Sequence, residues 1–311
     1  MKFLITGGAG FIGATLSNVL VRSGHVVRAL DDLSSGDPAR LDQGVHFTRG
    51  DVADVPKLWS LLQGIDCVYH LAARVSVPES VLYPRDYNET NVGGTVALMQ
   101  AMRDAGVRRV VLASSGAVYG EQLLQPLRED CVPNPSSPYA VSKLAAEYYL
   151  HTIGALWGIE TVALRIFNAY GLGQQSRASH PPVVPAIVRQ ALSGGSIIVH
   201  GNGKQTRDFV HVDDIVAALV CAASAPNVNR LTINIGSGVA SSVNDLVAVI
   251  GRVIGKELTP LHVTADSGGV SRMCAELSRA HERLGYEPKV TLEEGLRQYI
   301  NGQMSSAGAK A

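Results

Sequence analysis

The sequence predicts an α/β fold, a doubly wound parallel sheet joined to a smaller C-terminal α/β lobe. Three observations carry this. Residues Met1 to Gly13 run from an apolar stretch too short for a helix into a glycine-rich turn, Gly7-Gly8-Ala9-Gly10, and then into a helix start. Val26 to Leu30 is a second apolar run that ends on Asp31 and Asp32, roughly 20 residues past the glycines. From there to Tyr170, short apolar runs alternate with stretches of helical spacing, the pattern of parallel strands joined by crossover helices.

The first turn has a chemical reading. Gly7 and Gly10 let the backbone come close to a pyrophosphate, Gly13 lets the helix pack near the strand, and the free N–H groups and dipole of the helix start attract the anion. This is the Rossmann arrangement for a dinucleotide. Asp31 is placed to accept ribose hydroxyls and would repel a 2′-phosphate, so NAD is expected rather than NADP.

Taken in order, Leu33 to Pro38 is turn-rich and reads as a loop over the adenosine end. Val45 to Val52 holds a third strand, with Asp51 and Val52 placed to flank the adenine; the competing reading is a helix cap at Asp51 or Asp54. Leu58 to Leu62 has helical spacing. Cys67 to Ala73 is a fourth strand ending in small residues that leave room for a ligand. Asn91 to Thr95 leads a helix through Met102, ended by Gly106, and Val107 to Ala113 is a fifth strand. Ser114, Ser115 and Gly116 then sit at a strand's carboxyl end, where ligands lie in such a sheet. Tyr139 to Leu150 is a helix with Tyr139 and Lys143 on one face, and Thr161 to Ile166 is another buried strand. From Gly171 to His180 the composition turns to Gly, Gln, Ser and Pro, a crossing into the second lobe. Beyond it come a helix from Val183 to Leu192, a strand from Ile197 to His200, and a strand from Phe209 leading into a helix capped by Asp213. A strand from Leu231 to Gly236 and a helix capped by Ser242 follow. The expected division is 1–170 for the dinucleotide, 171–206 and 237–301 for the substrate lobe, and about 207–236 returning to the first; the tail 302–311 is expected to be disordered.

Composition narrows the class. At 311 residues the chain exceeds the usual size of one hydrophobic core. Hydrophobic residues make up 46% and charged ones 17%, a globular balance. Lys+Arg and Asp+Glu number 27 each, so no net field draws the chain to nucleic acid or an acidic membrane. Cys67, Cys131, Cys221 and Cys274 form no CxxC pair and are expected as free thiols in a reducing cytoplasm. The nine histidines lack HExxH-type spacing; no metal is expected, and His70 and His211 read as packed or surface residues. No apolar run approaches about 18 residues, so no membrane partner is expected.

A nicotinamide cofactor implies hydride transfer, and taking hydride from an alcohol carbon requires a base for the hydroxyl proton. Tyr139 is the candidate. An ammonium one helical turn away, Lys143, stabilises the phenolate, and Ser115 hydrogen-bonds the same substrate hydroxyl.

The stretches Thr6 to Gly13, Asp31 to Gly36, His70 to Ala73, Asn91 to Thr95, Ser114 to Gly120, Pro138 to Lys143, Arg165 to Gly171, Gly203 to Asp214 and Leu284 to Pro288 together resemble the extended short-chain dehydrogenase/reductase family. The resemblance is closest to its NAD-dependent nucleotide-sugar epimerase branch, most of all the UDP-glucose 4-epimerases. It implies an isomerase in which hydride leaves C4 of a nucleotide-linked hexose, UDP-glucose or UDP-galactose, for a tightly held NAD while Tyr139 takes the O4 proton. The 4-keto sugar then turns over and regains hydride on its other face.

By the same resemblance Phe11, Ile12, Asp32, Ser35 and Asn91 join the residues around NAD. Leu71, Ala72, Ala73, Ala113 and Phe167 line it, and Tyr139 and Lys143 stand at its nicotinamide end. Asn168 and Arg207 hold the substrate diphosphate, a task suited to a guanidinium, and Val183 and Arg272 complete the substrate site with Ser115 and Tyr139. The competing reading of Arg207 is a surface salt bridge to Asp208 or Asp213. Gly116-Ala117 stand where the dehydratases have Asp-Glu and the decarboxylases a Glu, so elimination and decarboxylation lack their acids.

The chain departs from the pattern at Asp266 and Gly269, where an Arg and an Asp of the nucleotide site are usual, with Arg272 as a shifted substitute, and at Gly173, where an Arg is common. Met273 falls where epimerases sort N-acetylated from plain hexoses, and its bulk favours the plain sugar. The alternatives are a 4-ketoreductase that consumes NADH and a non-catalytic NAD-binding regulator. A homodimer through helices beginning near Asn91 and Tyr139 is the family expectation.

Overall fold

The structure, a computed structural model, describes residues 1–174, 180–264 and 270–308. Its strands are β1 (Lys2–Thr6), β2 (Val26–Asp31), β3 (Val45–Arg49), β4 (Cys67–His70), β5 (Arg109–Ser115), β6 (Glu160–Ile166), β7 (Asn168–Tyr170), β8 (Ile197–His200), β9 (Thr206–His211), β10 (Leu231–Ile235), β11 (Ala240–Ser242) and β12 (Pro260–Val263). Its helices are α1 (Phe11–Arg22), α2 (Val55–Leu62), α3 (Val77–Leu82), α4 (Pro84–Tyr87), α5 (Gly94–Ala105), α6 (Pro138–Trp157), α7 (Val183–Ser193), α8 (Val212–Ser224), α9 (Val243–Ile254), α10 (Ser278–Leu284) and α11 (Leu292–Gly308).

Seven strands form one sheet in the order β10-β6-β5-β4-β1-β2-β3, and every pairing in it is parallel. The reason is written in the strands. Successive side chains point to opposite faces, and here both faces are apolar: Phe3 and Ile5 enter one core with Cys67, Tyr69, Val162 and Leu164, while Leu4 enters the other with Val68, Val110 and Leu112. A strand buried on both sides needs helices on both sides. α1, α8 and α10 cover the first face through Leu16, Leu20, Leu219 and Leu284. α2, α5 and α6 cover the second through Leu58, Leu62, Leu98, Met102 and Leu150. Each such side chain, fully buried, stabilises by about 1.5–3 kcal/mol.

The strand order reverses between β1 and β4, which opens the crevice where ligands of such sheets bind. The second lobe has a three-stranded sheet, β11-β9-β7, and a two-stranded one, β12-β8, around a third core from α7, α9 and α11. The chain crosses over earlier than expected: Asn168–Tyr170 already pairs with β9 in the smaller sheet, so of 207–236 only α8 and β10 return to the large sheet side. Three local readings are corrected. α8 is capped by His211, whose Nδ1 accepts from the Asp213 N–H at 3.3 Å, and not by Asp213. Asn91 to Gly93 belong to a wider helical turn over Asn88–Gly93, and α5 proper begins at Gly94. Of the tail 302–311 expected to be disordered, Gly302 through Gly308 is helical as part of α11, and 309–311 lie outside the described residues. Ser242 caps α9 as read, with Asp245 closing a capping box. Among the described residues no helix is long and apolar enough to cross a membrane.

Candidate active site

The turn between β1 and α1 is shaped by what its glycines lack. Gly7 sits at φ +70°, where an L side chain is strained, and a Cβ there would also lie 2.7 Å from the Ala72 nitrogen. A Cβ on Gly13 would collide with the Gly7 carbonyl, whereas one on Gly10 would meet only that carbonyl, at 3.2 Å. Space beyond Gly10 is therefore open, and α1 has neither a side-chain cap nor an acid in its first turn. Its first N–H groups, among them those of Phe11 and Ile12, are left for an anion. Asp31 is buried at the end of β2 and accepts from Ala9 N (3.0 Å) and Leu33 N (2.9 Å). Asp32 is exposed and accepts from Ser34 N at 2.8 Å, and Ser35 lies on the same exposed loop. An open donor-lined turn with a carboxylate at the next strand end fits NAD.

The neighbouring positions are fixed by hydrogen bonds. Asp51 accepts from Ala53 N at 2.8 Å, while the cap of α2 is Asp54, accepting from Lys57 N at 3.1 Å; Val52 is buried beside Gly94. Leu71 N and Ala72 N donate to the carbonyl and hydroxyl of Thr6, at 3.0 and 3.3 Å, and Ala73 follows at the half-buried rim. Asn91, buried in the wide turn, donates to Ser142 Oγ (2.9 Å) and exchanges bonds with the backbone of Arg74. His70 is the packed residue expected, held between Thr6 (2.7 Å) and Thr95 (2.9 Å) and kept neutral by burial and the Lys143 charge.

Ser115 ends β5 two residues after the half-buried Ala113. α6 starts opposite it, because Ser137 caps the helix by accepting from Ala140 N at 3.2 Å and Pro138 occupies the first turn. Tyr139 and Lys143, one turn apart, are 9% and 4% exposed. The Ser115 hydroxyl lies near enough to the Tyr139 phenol to favour its charged form, so strand end and helix start bring the predicted trio to one place. Burial raises the phenol's pKa, and the Ser115 hydroxyl opposes this by less. Lys143 is lowered to about 8, burial leading and Glu147 opposing. The Ser115 hydroxyl thus acts on the phenol in the same direction as the part read from sequence for Lys143.

Phe167, buried, packs its ring against Gly116 and leads into Asn168. Asn168 begins a cleft of about 270 Å³ lined also by Val183, Gln205, Arg207, Phe209 and Val243. Arg207 is not in the surface ion pair that competed for it. It donates to the Thr206 carbonyl at 2.8 Å, Asp208 is engaged by the N–H groups of Ser237, Gly238 and Ala275, and Asp213 pairs with His211 at 3.5 Å. Burial lowers the Arg207 pKa and Glu121 opposes it. Arg272 joins this corner: its segment bridges to Thr206, and both arginines hold the Glu121 pKa down after the Ser271 hydrogen bond and against burial. Asp266 and Gly269 lie outside the described residues. Met273 is buried in the first core. No cluster able to hold a metal occurs among the described residues.

Sequence reasoning missed the supports of this site. Glu147, one turn beyond Lys143 on α6, is buried and grips Arg165 of β6 through bonds of 2.8 to 3.3 Å, and it accepts from the Ser114 hydroxyl. Its spacing of four from Lys143 was the available signal.

Residues 3–236 match the NAD dependent epimerase/dehydratase family. A UDP-glucose 4-epimerase of Mycolicibacterium smegmatis is 38% identical, covering 96% of this chain and 97% of that one. The crystal structure of the UDP-glucose 4-epimerase of Thermotoga maritima with UDP-glucose superposes with a TM-score of 0.95 at 32% identity, covering 99% of this chain and all of that one. MoeE5 in complex with UDP-glucuronic acid and NAD gives 0.90 at 36% identity, covering 98% of this chain and all of that one. The chain therefore belongs to the NAD-dependent epimerase/dehydratase family, in its extended short-chain dehydrogenase/reductase branch.

Proposed function

We propose that this chain is a nucleoside-diphosphate-sugar 4-epimerase acting on UDP-glucose and UDP-galactose. The observation that carries it is the meeting of Ser115 with Tyr139 and Lys143 at the carboxyl end of β5, followed by Gly116 and Ala117 and not by acids. NAD, when bound, supplies the acceptor for hydride from C4. Tyr139 holds and returns the O4 proton, Ser115 orients the hydroxyl, and Lys143 supports the phenolate charge. Asn168, Val183 and Arg207 are assigned to the nucleotide end, which the cleft they line supports, and Arg272 is assigned there with them from its bridge to Thr206.

Incubation with UDP-galactose and no added cofactor is expected to give UDP-glucose by product NMR, with no net change in NADH absorbance. Stoichiometric NADH formation would assign a dehydrogenase or ketoreductase instead, and no turnover a binding protein.

The functional unit we propose is a cytoplasmic homodimer, its thiols free. Val141, Tyr148, Tyr149 and Leu156 form an exposed apolar stripe along α6, beside Val81 and Leu82 of α3, and helical spacing puts them on one side. Light scattering is expected to give twice the 32.9 kDa protomer mass, and Tyr148→Glu to give the protomer. A wild-type monomer would remove this reading.

A further inference from the structure

The geometry points to Arg40 as a binding residue for the diphosphate of the dinucleotide, brought to the first turn of α1 from the loop after β2. The inference rests on the NAD assignment of that turn.

Arg40 closes the short turn Pro38–Arg40, and its backbone is anchored well down α1, where Asn18 donates to its carbonyl at 2.8 Å. The side chain runs from that anchor back along the helix to its start. Nη1 lies 3.4 Å from the Gly10 carbonyl and Nη2 3.4 Å from that of Phe11. Both carbonyls already accept nearer donors, Ala14 N at 3.0 Å and Thr15 Oγ1 at 3.1 Å, so the guanidinium's own bonds there are long and weak.

Three features make the placement unfavourable for a cation on its own. The guanidinium is partly buried, and among the described residues it takes part in no ion pair; burial lowers its pKa and Asp37 opposes this by less. A partly buried charge without a counter-ion is costly. It stands beside the positive end of a helix dipole, where an anion and not a cation is stabilised.

The protein also keeps room for it. A Cβ at residue 173 would overlap the guanidinium, and that residue is Gly173, at φ +87°. A diphosphate on the N–H groups of Phe11 and Ile12 reverses the balance, since the same cation then offers a forked pair of donors to phosphate oxygens. Asp31 reads the ribose, the helix start takes the charge by backbone donors, and Arg40 closes the outer side.

Arg40→Met keeps the bulk and removes the charge. Calorimetric titration of the full chain, stripped of dinucleotide, with ADP-ribose and separately with adenosine tests it. ADP-ribose is expected to bind about tenfold to a hundredfold more weakly to the variant, the range for losing one or two charge-assisted hydrogen bonds. Adenosine is expected to bind both proteins alike, and Arg40→Lys to recover part of the loss. From the holoenzyme, Arg40→Met is expected to release NAD faster by a similar factor. Equal ADP-ribose affinities, or an equal loss for adenosine, would overturn the assignment; Arg40→Gln gives the same reading should the Met variant not fold. A wild type that binds neither compound would sink the NAD reading of the turn, and this inference with it.

Discussion

Tyr139→Phe is expected to lower kcat by about 10²–10⁴-fold, the usual contribution of a positioned acid–base group, with NAD still bound and KM for the nucleotide sugar little changed. The ring stays in its packed place against Tyr87, 6.4 Å between centroids, and only the proton-carrying oxygen is lost. The pH profile follows from the same pair. The active form carries a phenolate beside an ammonium, one proton fewer than the fully protonated pair. That first proton leaves near the lower of the two values, which belongs to Lys143 at about 8, because burial holds the phenol above its ordinary value. The two singly deprotonated forms interconvert by a proton shift and titrate as one population. kcat/KM is therefore expected to climb as pH rises through about 8 and to fall only where the second proton leaves. Lys143→Met removes the more acidic member, so its rising limb should move to higher pH and its rate at neutral pH should drop. Rate profiles of the three proteins measure this; a Lys143→Met limb that stays in place would remove the coupling, and a Tyr139→Phe enzyme of near-normal kcat would remove the base.

The sheet and the dinucleotide turn were legible because both are local. Gly7, Gly10 and Gly13 announce a close backbone approach, and the apolar runs at Phe3–Ile5 and Val162–Leu164 announce strands buried on both faces. The trio Ser115, Tyr139 and Lys143 was legible by helical spacing and strand-end position. The crossing between lobes was not. Asn168–Tyr170 follows β6 after a single residue, and what sends it to the smaller sheet is its partner β9, some forty residues on. The cap of α8 was misread because Asp213 is a good cap by type, while the backbone geometry gives the position to His211, one residue before the helix begins. The state of Tyr139 was the least readable, since sequence gives the neighbour on its own helix but not the depth of burial.

Glu147→Gln is expected to destabilise the fold by about 3–5 kcal/mol, the usual cost of breaking a buried ion pair from one side. Glu147 and Arg165 are 2% and 5% exposed. Burial by itself would lower the Arg165 pKa, but the hydrogen bonds and charge of Glu147, with the Tyr119 ring at 4.7 Å, outweigh it and hold the guanidinium firmly charged. Once the carboxylate is gone that charge stays buried without a counter-ion. The pair joins α6 to β6 and, through Ser114, to β5; Ser114 is the register partner of Arg165 and Ser115 that of Ile166. What holds the sheet to the helix thus also sets Ser115 against Tyr139. Glu147→Gln should then reduce kcat in the protein that remains folded, through loss of that alignment. Replacing both members, Glu147→Gln with Arg165→Met, should recover much of the stability because no buried charge is left, but not the rate, because the alignment is still lost. Urea unfolding of the single and double variants, with kcat measured below the transition, separates the two effects. A single variant that loses less than about 1 kcal/mol, the worth of an exposed pair, would show that the carboxylate and guanidinium are not the rivet described.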